Sequence, residues 1–199
     1  MINLPFIREL AEGTLDRERF NFYVQQDALY LVDYTRALSL IASKADKAER
    51  MLQFLKFAEY SLEVEKERHD SYMATHAIKP ADRKSISCVA YTNFLLSVAA
   101  LEPIEVAMAS ILPCFCVFQK VAEHIYVNAS DNNPYRDWID LYAGEEYKQA
   151  TDQALEMTDV MASRAGETTR EKMKEAFVLA TKMEYMFWDS AYRQEQWIV

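Results

Sequence analysis

Glycine is nearly missing from this chain. Gly13, Gly144 and Gly166 are the only ones, and five prolines complete the set of strong chain breakers in 199 residues. A sandwich or barrel reverses direction about every 8–12 residues and spends a turn residue each time. So few breakers leave long helices as the fold that this chain can build. The apolar periodicity agrees. Phe20, Tyr23, Val24, Asp27, Tyr30, Leu31, Tyr34 and Leu38 recur at spacings of three and four, which is one face of a helix over about 16–44.

The remaining elements follow from the same two signals. Residues 4–12 read as a helix end capped by Gly13. A third helix over about 46–76 carries the stripe Met51, Leu55, Ala58, Leu62, Glu65, His69, Tyr72 and His76. "IKPADRK" separates it from a helix over about 83–101 with Tyr91, Leu95 and Val98 inward, and a further helix runs over about 103–126. "NASDNNPYRD" is a loop by composition. A short helix through Trp138 to Tyr142 and a helix over about 145–163 follow. The last helix starts at an N-cap on Thr168 or Thr169, runs to about 195, and holds Phe177, Thr181, Glu184, Trp188 and Ala191 on one face. With no repeat, linker or low-complexity tract, the expectation is an all-α bundle of about seven or eight helices forming one domain over 1–199.

Composition narrows the class of function. The net charge is -9 with a pI near 4.9, and no basic face is present, which argues against nucleic acid or an anionic membrane as partner. No apolar run is read as long enough to span a membrane, and "MINLPFIREL" is no signal sequence, so a cytoplasmic protein acting on a small molecule is expected. Cys88, Cys114 and Cys116 are odd in number, and Cys114 and Cys116 would leave a helix on nearly opposite sides, so reduced thiols are expected.

Three ionisable residues interrupt apolar stripes on three different helices: Asp27, Cys114 and Glu184. Burying a carboxylate without partners costs several kcal/mol or raises its pKa, so each position needs either a neighbour that satisfies it or a function. Cys114 sits beside Pro113 in "ASILPCFCVF". Proline cannot donate to the carbonyl four residues back, so a kink there is expected, and if the helix restarts at Pro113, Cys114 lies in a first turn where the dipole would lower a thiol pKa. The competing reading is a packing kink with Cys114 as a small buried apolar residue. His124 lies about 15 Å along the helix from Cys114, too far to pair with it. Glu65 and His69 have a ligand-like spacing, but no second such pair accompanies them, so a polar core pair or support for a nearby site is the preferred reading over a metal or haem site. Tyrosines along the stripes, with acids among them, suit a flat heteroaromatic ligand.

At these residues the chain resembles the TenA family, also called thiaminase II or aminopyrimidine aminohydrolase. The resemblance rests on "GTLDRERFNFYVQQDALYL", "AYTNFLLSVA", "ILPCFCVF", "NPYRDWIDLYAGEEY" and "MEYMFWDSAYRQEQW", in the family's order and nearly spanning the chain. It implies a haem-oxygenase-like helical bundle without haem, metal or other cofactor, usually a homotetramer. The implied activity is hydrolysis of 4-amino-5-aminomethyl-2-methylpyrimidine, and of thiamin, to hydroxymethylpyrimidine for thiamin salvage. It implies Cys114 as the nucleophile, Asp27 and Glu184 as the catalytic acids, and Tyr30, Tyr91 and Tyr142 as pocket tyrosines. Phe118 stands where the family carries a pocket tyrosine. Family members also carry further residues before "LPFIREL", so a shortened first helix is expected here. Two other functions fit the same scaffold: a metal-dependent, di-iron oxidase using Glu65, His69 and further carboxylates, and a non-catalytic pyrimidine-binding or regulatory protein.

Overall fold

Every member of the stripe from Phe20 to Leu38 is buried, and this face of helix α2 (Arg17–Ser43) turns into the molecule along its whole length. Asp16 caps it by accepting from the backbone N–H groups of Glu18 and Arg19. The computed structural model describes residues 1–198, apart from the side chains of residues 64–68. Ahead of α2 lies α1 (Pro5–Glu12), which ends on Gly13 in the left-handed conformation at φ 71°. A Cβ there would be strained and would meet the Pro134 ring at 3.1 Å. Asn133 ties the same corner down by donating to the carbonyls of Leu10 and Ala11.

The other helices are α3 (Ala48–Tyr60), a π-helical segment (Ser61–Lys66), α4 (Glu67–Thr75), α5 (Ile86–Leu101), α6 (Ile104–Asn128), α7 (Arg136–Tyr142), α8 (Glu145–Arg164) and α9 (Glu167–Arg193). Since α3, the π segment and α4 run on without a break, the chain is a bundle of eight helical runs, with no strand among the described residues. Helix α6 forms its axis, packing most extensively on α9 and then on α8, while α2 packs on α3, α5 and α9.

Four details depart from the sequence reading. Met51, Leu55 and Leu62 are exposed, and α3 turns Phe54 and Phe57 inward beside the expected Ala58. That helix is apolar on two adjacent stripes, and periodicity cannot say which one meets the core. Pro113 does not end a helix: α6 is continuous through it, so Cys114 lies mid-helix and receives no terminal dipole. Helix α6 is also long and apolar enough by composition to cross a membrane, yet 72% of that apolar window is buried within the bundle, as befits a central core helix. Finally, α9 begins after Gly166, and no threonine side chain caps it.

Candidate active site

Four inward helix faces and the start of α8 meet at one cavity. Helix α2 contributes Asp27, Tyr30 and Leu31, α5 contributes Tyr91, α6 contributes Cys114 and Phe118, α8 contributes Tyr147, and α9 contributes Glu184 and Phe187. Positions 27, 30 and 31 of α2 are spaced for one helix face, as are positions 184 and 187 of α9, so the apolar stripes that drive packing also carry the polar groups inward. The cavity is narrow, about 10 Å³ in volume.

Glu184 is 4% exposed and its Oε1 accepts a hydrogen bond from the Tyr91 hydroxyl at 2.7 Å. Burial lifts its carboxyl from the ordinary 4.5 to about 7, against the lowering effect of that bond. The group therefore exchanges its proton near neutrality, as a general acid requires. Burial foremost, with the neighbouring Glu184 and Cys114 adding to it, pushes the Tyr91 and Tyr30 phenols well above 10, so both stay protonated donors. The buried Tyr30 hydroxyl lies beside that of Tyr91, near enough to lower the latter's proton affinity as a hydrogen-bond donor.

Asp27 stands in different company. Its Oδ2 accepts from the Tyr23 hydroxyl at 3.2 Å and lies 3.5 Å from Nε2 of His69. The same His69 nitrogen is 3.5 Å from the Tyr142 hydroxyl. His69, 3% exposed, is thus the link between an aspartate on α2 and a tyrosine on α7. Of the Glu65–His69 pair, the Glu65 side chain lies outside the described residues. Among the described residues no group of three or more His, Cys, Asp or Glu side chains is placed to hold a metal ion.

Cys114 is buried on the cavity wall, and the hydroxyl of Tyr147 donates to its backbone carbonyl at 2.6 Å. Phe118, one helical turn on, stacks on Trp188 at 5.2 Å and meets the Tyr142 ring edge at 4.7 Å. Cys88 is buried with its thiol pushed up to about 12 by desolvation, and Cys116 is half-buried with its thiol raised for the same reason. No disulfide joins the three cysteines.

Of the residues expected from sequence, Asp27, Cys114, Glu184, Tyr30, Tyr91 and Phe118 line this cavity, whereas Tyr142 stands behind it, packed on Phe118 and facing His69. Leu31, Phe187 and Tyr147 line the cavity and were not anticipated as site residues. Phe187 had a signal, since it lies three residues from Glu184 on the same face. Tyr147 had no periodic signal, since it follows a helix start where no face is yet defined, although it closes the family-like segment "NPYRDWIDLYAGEEY".

The family model described as TENA/THI-4/PQQC matches residues 1–194. An aminopyrimidine aminohydrolase of Halalkalibacterium halodurans is 30% identical over 98% of this chain and 90% of that protein. One from Bacillus subtilis is 29% identical over 97% of this chain and 84% of its own length. Among solved structures, a TenA homologue from Pyrococcus furiosus superposes with a TM-score of 0.92 at 22% identity, covering 96% of this chain and 92% of that one, a likeness of fold. A match across nearly the whole chain, shared by sequence model, relatives and fold, carries one conclusion: this chain belongs to the TENA/THI-4/PQQC family.

Proposed function

We propose that the protein is an aminopyrimidine aminohydrolase of thiamin salvage, which converts 4-amino-5-aminomethyl-2-methylpyrimidine to hydroxymethylpyrimidine and ammonia, and accepts thiamin through the same ring. The observation that carries this reading is the meeting of a thiol, a carboxyl that titrates near neutrality and a second carboxylate in one aromatic-walled cavity. The names of the relatives at about 30% identity support the reaction class.

In this mechanism Glu184, protonated, hydrogen-bonds a ring nitrogen while the Cys114 thiolate adds to the adjacent ring carbon, and the proton moves to that nitrogen as the C–S bond forms. The ring electrons then expel the amine from the neighbouring methylene carbon. The amine of the aminomethyl group, an ammonium at neutral pH, leaves as ammonia, and a water adds to the exocyclic methylene that results, its extra proton passing to solvent. The C–S bond breaks as Glu184 takes its proton back, so the net change is exchange of –NH2 for –OH, with no redox step. Electrostatic help is greatest in so dry a cavity, where fixed donors act at low dielectric. Asp27, held by Tyr23 and His69, receives the exocyclic amino group of the ring and orients it. Tyr30 and Phe118 bound the ring faces, and Tyr91 tunes Glu184. Tyr142 acts through Phe118 and His69 without facing the substrate.

The reading extends to assembly and location. The exposed apolar side chains Met51, Leu52 and Leu55 on α3, and Val178, Leu179, Tyr185 and Met186 on α9, support burial between copies in a homotetramer, and three thiols outside any disulfide suit the cytoplasm. Light scattering tests the first, with a monomeric mass counting against it.

The deciding experiment incubates the protein with the aminomethylpyrimidine and follows ammonia release. Wild type turns over, and Cys114→Ala loses about 10³-fold or more in kcat, as loss of a covalent nucleophile predicts. An active alanine variant removes Cys114 from the mechanism.

A further inference from the structure

Tyr147 is 3% exposed in the first turn of α8, and its side chain does two things at once. The ring lines the cavity, edge-on to Tyr142 at 5.3 Å and tilted against Phe118 at 6.3 Å. The hydroxyl donates to the Cys114 carbonyl at 2.6 Å, the same carbonyl that faces the N–H of residue 118 in the helical ladder. One turn earlier the Tyr34 hydroxyl donates to the Ile111 carbonyl at 3.3 Å from the α2 side. Between these two contacts sits Pro113, which offers no N–H to the carbonyl of Ala109. The stretch of α6 that carries the thiol therefore lacks one rung of its ladder, and phenol hydroxyls reach its carbonyls from both sides.

We infer that Tyr147 is a positioning residue for Cys114: its hydroxyl holds the peptide plane from which the thiol projects. The inference rests on reading Cys114 as the nucleophile. A covalent attack needs the sulfur within a narrow approach to the ring carbon, and a misplacement of about 1 Å can cost about 10²-fold. A peptide plane deprived of a neighbouring rung turns more easily than one in an intact helix, and Cys114 Sγ turns with it. The hydroxyl at the far end of Tyr147 opposes that rotation. Because the ring of the same residue forms the cavity wall, substrate side and nucleophile side are set by one rigid group.

The test compares Tyr147→Phe with Tyr34→Phe in the full chain. Each variant removes one hydroxyl on an α6 carbonyl and keeps its ring, but only residue 147 acts on Cys114 and lines the cavity. Turnover of the aminomethylpyrimidine gives kcat and KM. Iodoacetamide labelling, read by fragment-ion sequencing so that Cys114 is told from Cys116, gives the reactivity of the sulfur without turnover. For Tyr147→Phe we expect kcat to fall about tenfold, roughly the factor of one net hydrogen bond, with KM within about twofold and Cys114 labelled several-fold faster as the sulfur escapes its fixed orientation. For Tyr34→Phe both quantities should stay within about threefold, at a melting temperature similar to that of the other variant. Equal effects in the two variants would reduce Tyr147 to a packing residue, and unchanged labelling would overturn the inference even if kcat fell. Failure of the nucleophile reading is separate: it appears as an active Cys114→Ala protein, while the labelling rates still decide whether Tyr147 governs the sulfur.

Discussion

Asp27 and Glu184 are two carboxyl groups at nearly equal depth, 5% and 4% exposed, on the wall of one cavity, yet their surroundings differ in kind. Asp27 accepts from a tyrosine hydroxyl and faces a histidine nitrogen, which in turn faces Tyr142. Glu184 accepts a hydrogen bond from Tyr91, but desolvation dominates and lifts its pKa to about 7. The difference teaches that depth alone does not set a carboxyl's role. In the proposed mechanism the polar partners that its helix neighbours supply divide the pair into a holder of charge and a donor of protons.

The strongest way to break this comparison is to neutralise the donor. Glu184→Gln should lower kcat/KM for the aminomethylpyrimidine by about 10²–10⁴-fold, the usual worth of a positioned general acid. The wild-type profile should fall as pH rises through about 7, because only protonated Glu184 donates. Any residual activity of the glutamine variant should lack that limb, and a limb that persists would assign it to another group.

Stability should separate the two carboxyls with opposite signs. The folded-state pKa of Glu184 is raised, so its contribution is fully favourable below about 4.5 and is lost as pH climbs to about 7. The loss amounts to about 3 kcal/mol in the alkaline range. Urea unfolding at about pH 8 should therefore show Glu184→Gln more stable than wild type, with the gap closing toward about pH 4. Asp27→Asn should instead be less stable by about 1–3 kcal/mol at neutral pH, since it strips the charge that Tyr23 and His69 meet. Equal responses of the two amides would erase the distinction.

The smallest effect sharpens it. Tyr91→Phe removes the bond that pulls the Glu184 pKa down, so the alkaline limb of kcat should move to higher pH by less than about one unit. A shift to lower pH would mean that Tyr91 favours the protonated acid.

Much of this was legible in the residues. Every member of the α2 stripe from Phe20 to Leu38 is buried, because a long amphipathic helix turns its apolar face inward, while Gln26, Ala28, Asp33 and Ala37 are buried beside it without having been marked by the stripe. Asp27, Cys114 and Glu184 stood out for the same reason, as polar residues in places reserved for apolar ones. Helix α3 was misread where two apolar stripes compete, and at Pro113 a local rule for breaking helices yielded to the packing that surrounds α6 on most sides. Tyr142, which the family resemblance implies as a pocket tyrosine, packs on Phe118 and faces His69, a placement that sequence spacing on a seven-residue helix does not reveal.

The amino-acid sequence by itself determined that this chain folds as long helices and which side chains must leave water, because scarce breakers and three-to-four periodicity are local properties of the chain. Only the tertiary structure decided that an acid from α2, a thiol from α6 and an acid from α9 share one cavity, that Tyr147 reaches the carbonyl of Cys114, and that burial raises the pKa of Glu184. Those outcomes depend on distances between residues remote in sequence and on how far each is removed from solvent, and neither is set until the helices have packed.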